Sequence, residues 1–160
     1  MSPGSNSHDP SLREAQAAVK TFHEKHGFVV DLLKSGCSTK ACHLPQGYEA
    51  WLHEWWKTGV ERAHMVISES GELMEAWHQL DVVKIADALG DLLYVVLGSA
   101  VAAGIDLAPI FAEIQRSNMT KTANQEAKSP LHPKGEGYEP PDLAPLLLAQ
   151  HIDIVDKRVS

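Results

Sequence analysis

Fourteen consecutive residues, Leu92 to Ile105, carry no charge, and this run follows directly on Asp91. A segment so apolar must leave water, yet a bilayer-spanning helix needs about 20 such residues. A helix buried against other helices satisfies both facts. Gly98, Ser99, Ala100 and Ala103 are small enough for close helix packing, and the run is too apolar all round for a surface helix. The neighbouring sequence supplies partners. From Tyr48 to His78 there is no proline, and Trp51, Trp55, Val60, Met65, Leu73 and Trp77 fall roughly on one side. This spacing predicts one long helix, or two meeting near Gly59. A turn near Leu80–Asp81 leads into a second long helix, Val82 to about Ala103, closed by Gly104. Asp106 is placed to cap a shorter helix, Leu107 to about Asn118, with Pro109 tolerated in its first turn. Upstream, Leu12, Ala15, Val19 and Phe22 have helical spacing, with Ser11 as N-cap and Gly27 as terminator. No alternating strand pattern competes. The expected fold is all-α: an antiparallel bundle of four to five helices, with the apolar Leu92–Ala103 run pointing to a homo-oligomer.

The remaining segments are read by composition. Residues 1–10 are expected to be a disordered tail, 11–122 the helical domain, and 123–160 a Pro-rich extended tail with a last short helix capped by Asp142. Residues 28–47 hold the breakers Gly36, Pro45 and Gly47 and read as a loop. The 160-residue chain has a formal charge of −7, which excludes a general nucleic-acid binder because that needs a basic footprint. An acidic balance is compatible with a phosphate substrate handled through a divalent cation held among carboxylates. Two cysteines are too few for a disulfide scaffold, and Met1–Pro10 lack the apolar core of a signal peptide. A soluble cytoplasmic protein with no membrane partner is expected. Cys37, Cys42 and His43 lack the second close pair that a structural zinc site normally has.

The chemistry concentrates on the two long helices. Glu69, Glu72 and Glu75 recur every three residues, and Glu69 and Glu72 lie about 60° apart on one face. Asp87 and Asp91 are four apart, about 40° round the next helix. Antiparallel packing would bring the two pairs opposite each other. Converging carboxylates repel unless a hard cation neutralises them, and oxygen donors suit Mg²⁺ or Mn²⁺. Asp91, flanked by Leu89, Leu92 and Leu93, is costly to bury without such compensation. Glu61-x-x-His64 and Glu75-x-x-His78 have the spacing of di-iron bundles, but both fall on one helix, about 21 Å apart, and cannot share a metal within a chain.

The segments Ile67-Ser-Glu-Ser-Gly-Glu-Leu-Met-Glu-Ala76 and Asp87-Ala-Leu-Gly-Asp-Leu-Leu-Tyr-Val-Val96 resemble the all-α nucleoside triphosphate pyrophosphohydrolases. These comprise MazG-like enzymes, dimeric dUTPases and phosphoribosyl-ATP pyrophosphohydrolases. The run from Gly104 to Leu107, Phe111-Ala-Glu-Ile-Gln-Arg-Ser-Asn-Met-Thr-Lys121 and Lys134-Gly-Glu-Gly-Tyr-Glu-Pro-Pro-Asp142 resemble a MazG-like branch. The resemblance covers residues 61–142. It implies Mg²⁺-dependent hydrolysis of a nucleoside triphosphate to the monophosphate and pyrophosphate, clearing surplus or damaged nucleotides, by a homodimer or homotetramer. It implies Glu69, Glu72 and Asp91 as metal ligands, with Glu69 or Glu72 orienting water, and Asp87, one turn before Asp91, is placed to act as a fourth. Arg116, Asn118, Lys121 and Lys134 are then the candidates for holding phosphate or base.

Two positions depart from the family's Glu-Glu-x-x-Glu and Glu-x-x-Asp pattern. Ser68 stands at the first glutamate, and Ala88 at the glutamate three residues before Asp91. These departures favour an alternative: a catalytically lapsed helical protein that binds nucleotide or dimerises for regulation. A second alternative, phosphoribosyl-ATP hydrolysis, is disfavoured by the Ser117–Lys121 segment and the Pro-rich tail.

Overall fold

A two-residue turn at Leu80–Asp81 folds the molecule's two longest helices back on each other. In the computed structural model, which describes residues 11–35, 45–121 and 137–152, α3 runs Pro45–Gln79 and α4 runs Val82–Ala103. Leu80 reverses the chain with a left-handed backbone, φ 54°. The Asp81 carboxylate accepts the N–H groups of Val83 and Lys84 and so closes the N-terminus of α4. Helix α3 is continuous through Gly59, and it begins at Pro45, where a missing N–H costs a helix nothing. The expected loop over 28–47 therefore gives way to α3 at Pro45, and it also contains a single helical turn, α2, Leu32–Ser35.

Helix α1, Leu12–His26, lies against α4. Ser11 and Glu14 form a reciprocal capping box, and Gly27 ends the helix at φ 71°. His23 is almost completely buried (2% exposed). Its Nδ1 lies 3.2 Å from the Val29 carbonyl and its Nε2 lies 3.3 Å from an Arg62 amine nitrogen. The ring is therefore neutral, with Nδ1–H donating and Nε2 accepting from the guanidinium. Burial holds the imidazole below its usual range, and the adjacent Arg62 charge adds to this. Gly98 makes room for the group, since a Cβ there would sit 3.0 Å from Arg62 and 3.1 Å from His23.

Ala88, Leu97, Ala100, Val101 and Ala102 of α4 form the core with Val19 and Ala76. Gly104 closes α4 at φ 82°, and its missing side chain lets Asp31 approach: a Cβ would stand 2.9 Å from the Asp31 Cα. Helix α4 is long and apolar enough to cross a membrane by length and composition alone. It lies instead along α3, α1 and α2, and its first half carries Lys84, Asp87 and Asp91. Trp51 and Trp55 stack 5.4 Å apart, whereas Trp56 and Trp77 are exposed on the single chain, as are Ile67, Met74, Leu89 and Leu93.

The chain divides into two compact units, the first ending at Ile105 and the second starting at Asp106. Within the second, α5 runs Leu107–Met119 behind its Asp106 cap, and α6 is short, Ala144–Leu148. The Gln150 side chain clasps the Asp106 backbone, accepting its N–H at 2.7 Å and donating to its carbonyl at 3.2 Å. Asp142 does not cap α6; Leu143 occupies that position without a side-chain bond, and the Asp142 N–H goes to Glu113. The described residues contain no strand, as the sequence predicts, and the fold is all-α. Cys37 and Cys42, Lys134 and both expected tail ends lie outside the described residues.

Candidate active site

The register of the α3–α4 hairpin follows from the approach of Arg62 to Gly98. Two helical turns toward the hairpin from that contact, seven residues on each strand of the pair, lie Glu69 and Asp91. One turn further, Glu72 stands at the level of Ala88, and Asp87 is its neighbour. Glu69, half-buried, has its carboxyl pushed above the usual range by loss of solvent, then by the charges of Glu72, Asp91 and Asp87. The four carboxylates named from the sequence therefore share one electrostatic environment at the middle of the hairpin. Asp91 departs from expectation in one respect: its side chain is exposed on the single chain, so no burial cost attaches to it there.

Toward the hairpin a cleft of about 330 Å³ opens between the helices, lined by Glu72, Glu75, Ala76, Gln79, Lys84, Asp87 and Ala88. Ala76 and Ala88 form its buried floor. A chain of hydrogen bonds crosses its end. Lys84 Nζ donates to Gln79 Oε1 at 2.7 Å, and Gln79 Nε2 donates to Glu75 Oε1 at 2.7 Å. Sequence reasoning missed Lys84 and Gln79. The signal was available for the first, because Lys84 lies three residues before Asp87 on the same face of α4.

The donor set is all carboxylate oxygen, the chemistry that hard divalent cations prefer. Among the described residues no three such side chains come close enough to form a closed cage. That suits Mg²⁺, which keeps several waters and is held by one or two carboxylates together with substrate phosphates. The residues present fit such an ion.

The second unit holds three of the expected substrate residues. Arg116 gives four of its five N–H donors to protein: two bonds to Glu113 at 2.8 and 2.9 Å, one to Glu139 at 2.7 Å and one to the Pro140 carbonyl at 3.2 Å. The Arg116 guanidinium and the Asp142 N–H draw the Glu113 carboxyl down to about 2. Buried Ser117 donates to the Glu139 carbonyl, and Thr120 accepts the Glu139 N–H. Arg116, expected to face phosphate, thus fastens the 139–142 segment to α5, together with Ser117 and Thr120, whose role the sequence did not suggest. Asn118 is exposed and Lys121 half-buried.

The family model for phosphoribosyl-ATP pyrophosphohydrolase matches residues 40–118, which take in α3, α4 and most of α5. No curated protein sequence matches the chain. The matched region, just under half of the chain, belongs to the all-α nucleoside triphosphate pyrophosphohydrolase superfamily, which contains that family. Members of that family are pyrophosphohydrolases, hydrolases of phosphoric anhydride bonds.

Proposed function

We propose that the chain hydrolyses (deoxy)nucleoside triphosphates to the monophosphate and pyrophosphate in a Mg²⁺-dependent reaction that clears surplus or damaged nucleotides in the cytoplasm. The observation that carries this reading is the gathering of Glu69, Glu72, Asp87 and Asp91 on the hairpin, where loss of solvent and then the charges of the other three raise the Glu69 carboxyl, a strain that a bound cation relieves. The metal would be held by carboxylates drawn from Glu69, Glu72, Asp87 and Asp91, one or two in direct contact, together with the substrate phosphates. When bound, Mg²⁺ offsets polyphosphate charge and makes water a better nucleophile.

Glu69, with its raised affinity for a proton, is the carboxylate suited to orient the attacking water and take its proton. The water oxygen forms a new bond to phosphorus as the anhydride bond to pyrophosphate breaks. Asn118 and Lys121 are the proposed donors to substrate; Arg116, with four of its five N–H donors given to Glu113, Glu139 and Pro140, has one left for phosphate. Apolar residues exposed on α3 and α4, among them Ile67, Leu89 and Leu93, support assembly as a homodimer or homotetramer.

Phosphoribosyl-ATP is the second reading, favoured by the description of the matching family. Pyrophosphate release is to be measured from ribo- and deoxynucleoside triphosphates and from phosphoribosyl-ATP, with Mg²⁺, with Mn²⁺ and with EDTA. Release from ordinary triphosphates, abolished by EDTA and reduced at least about 100-fold in Asp91→Asn and Glu72→Gln, is expected. Turnover of phosphoribosyl-ATP alone would move the assignment to the second reading. No release from any of them, with the protein folded and helical, would leave a regulatory nucleotide-binding or dimerising protein, with Ser68 and Ala88 as the marks of its lapse.

A further inference from the structure

We propose that Lys84 supplies positive charge directly to the distal phosphates of the substrate, taking the place of a second cation in the cleft. The inference rests on the pyrophosphohydrolase reading above and concerns this chain's own departure at Ala88. At the level of Glu72 the facing residue on α4 is Ala88, a buried methyl rather than an oxygen. That level, with Glu75 turned toward Gln79, is short of the oxygens a second hard cation needs. Lys84 lies one turn from Ala88 and lines the same cleft as Glu72 and Asp87.

Two features separate Lys84 from an ordinary solvated lysine. Its side chain forms no ion pair among the described residues, although Glu72, Glu75 and Asp87 line the cleft with it. Instead its ammonium is held by the neutral Gln79 amide, itself anchored on Glu75, which leaves two N–H donors unspent. It also lies in the first turn of α4, where the helix dipole disfavours a cation. The helix gains nothing from a lysine there, whereas a polyphosphate does. From Asp91 to Lys84 is seven residues, about 10 Å along the helix, so Lys84 meets the end of the polyphosphate remote from the water held at Glu69.

The test uses the full chain and inorganic tripolyphosphate with Mg²⁺, titrated calorimetrically into wild type, Lys84→Gln and Lys84→Arg, alongside kinetics on nucleoside triphosphates. Lys84→Gln is expected to bind tripolyphosphate at least about ten-fold more weakly and to require more Mg²⁺ for half-maximal rate, while Lys84→Arg stays within about three-fold of wild type. Equal binding by wild type and Lys84→Gln, at unchanged helicity, would overturn the proposal, as would no tripolyphosphate binding by wild type. If wild type binds tripolyphosphate through Lys84 but releases no pyrophosphate from any substrate, the Lys84 assignment stands and the hydrolase reading falls.

Discussion

At the scale of single residues, Glu69 is the position where function and stability oppose each other. Its carboxyl is held above the usual range by lost solvent and three neighbouring negative charges, so ionising it costs more in the folded chain than in the unfolded one. A carboxyl with a raised folded pKa stabilises the fold at low pH and loses that contribution as pH rises through the folded value. Glu69→Gln is therefore expected to raise the thermal midpoint at neutral pH by a few degrees while lowering turnover at least about 100-fold. Its stability should also depend less on pH, from the ordinary carboxylate range upward, than that of wild type. Thermal melts of both proteins across that range, with and without Mg²⁺, check the claim. A lower midpoint for Glu69→Gln would show that the glutamate is held by favourable contacts instead.

At the scale of the element, helix α4 owes its bounds to the residues that end it. Asp81 caps α4 and Gly104 closes it, and both were readable from the sequence because caps and left-handed terminators are local devices. What the sequence did not display is why Gly104 is confined to glycine. Besides its φ of 82°, it must admit the Asp31 backbone at a distance no Cβ tolerates. Gly104→Ala is expected to cost more than the ~1 kcal/mol typical of a lost left-handed glycine, because α2 must shift from α4 as well. Chemical denaturation would measure it, with Gly59→Ala as the control. Gly59 is mid-helix with nothing within 4 Å of a Cβ, and alanine there should be neutral or stabilising by up to ~1 kcal/mol. The start of α3 was misjudged for a related reason: Pro45 reads as a breaker in isolation, but at the first position of a helix it breaks nothing.

At the scale of the molecule, the apolar surface left on α3 and α4 bears on assembly. Ile67, Met74 and Trp77 are 67%, 62% and 58% exposed, and Leu89 and Leu93 are about half exposed. A stable monomer rarely leaves so many large apolar side chains in water. Light scattering at micromolar concentration is expected to give a dimer or tetramer mass, and the double substitution Ile67→Lys with Leu93→Lys is expected to shift it toward the 17.5 kDa chain. A wild-type monomer at all concentrations would contradict this expectation.

The sequence by itself determined the helices and the chemical identity of the four carboxylates. Helical periodicity, caps and terminators act over a few residues, and Glu69, Glu72, Asp87 and Asp91 share faces by spacing alone. Only the tertiary structure decided what those side chains do among neighbours distant in sequence. Hairpin register set Glu69 at the level of Asp91 and left buried Ala88 at that of Glu72, with Lys84 beside them in one cleft. Folding of the second unit spent the Arg116 guanidinium on Glu113 and Glu139. A guanidinium binds whichever acceptors lie nearest in space, and the separation of 23 positions from Arg116 to Glu139 hides that pairing from any local pattern.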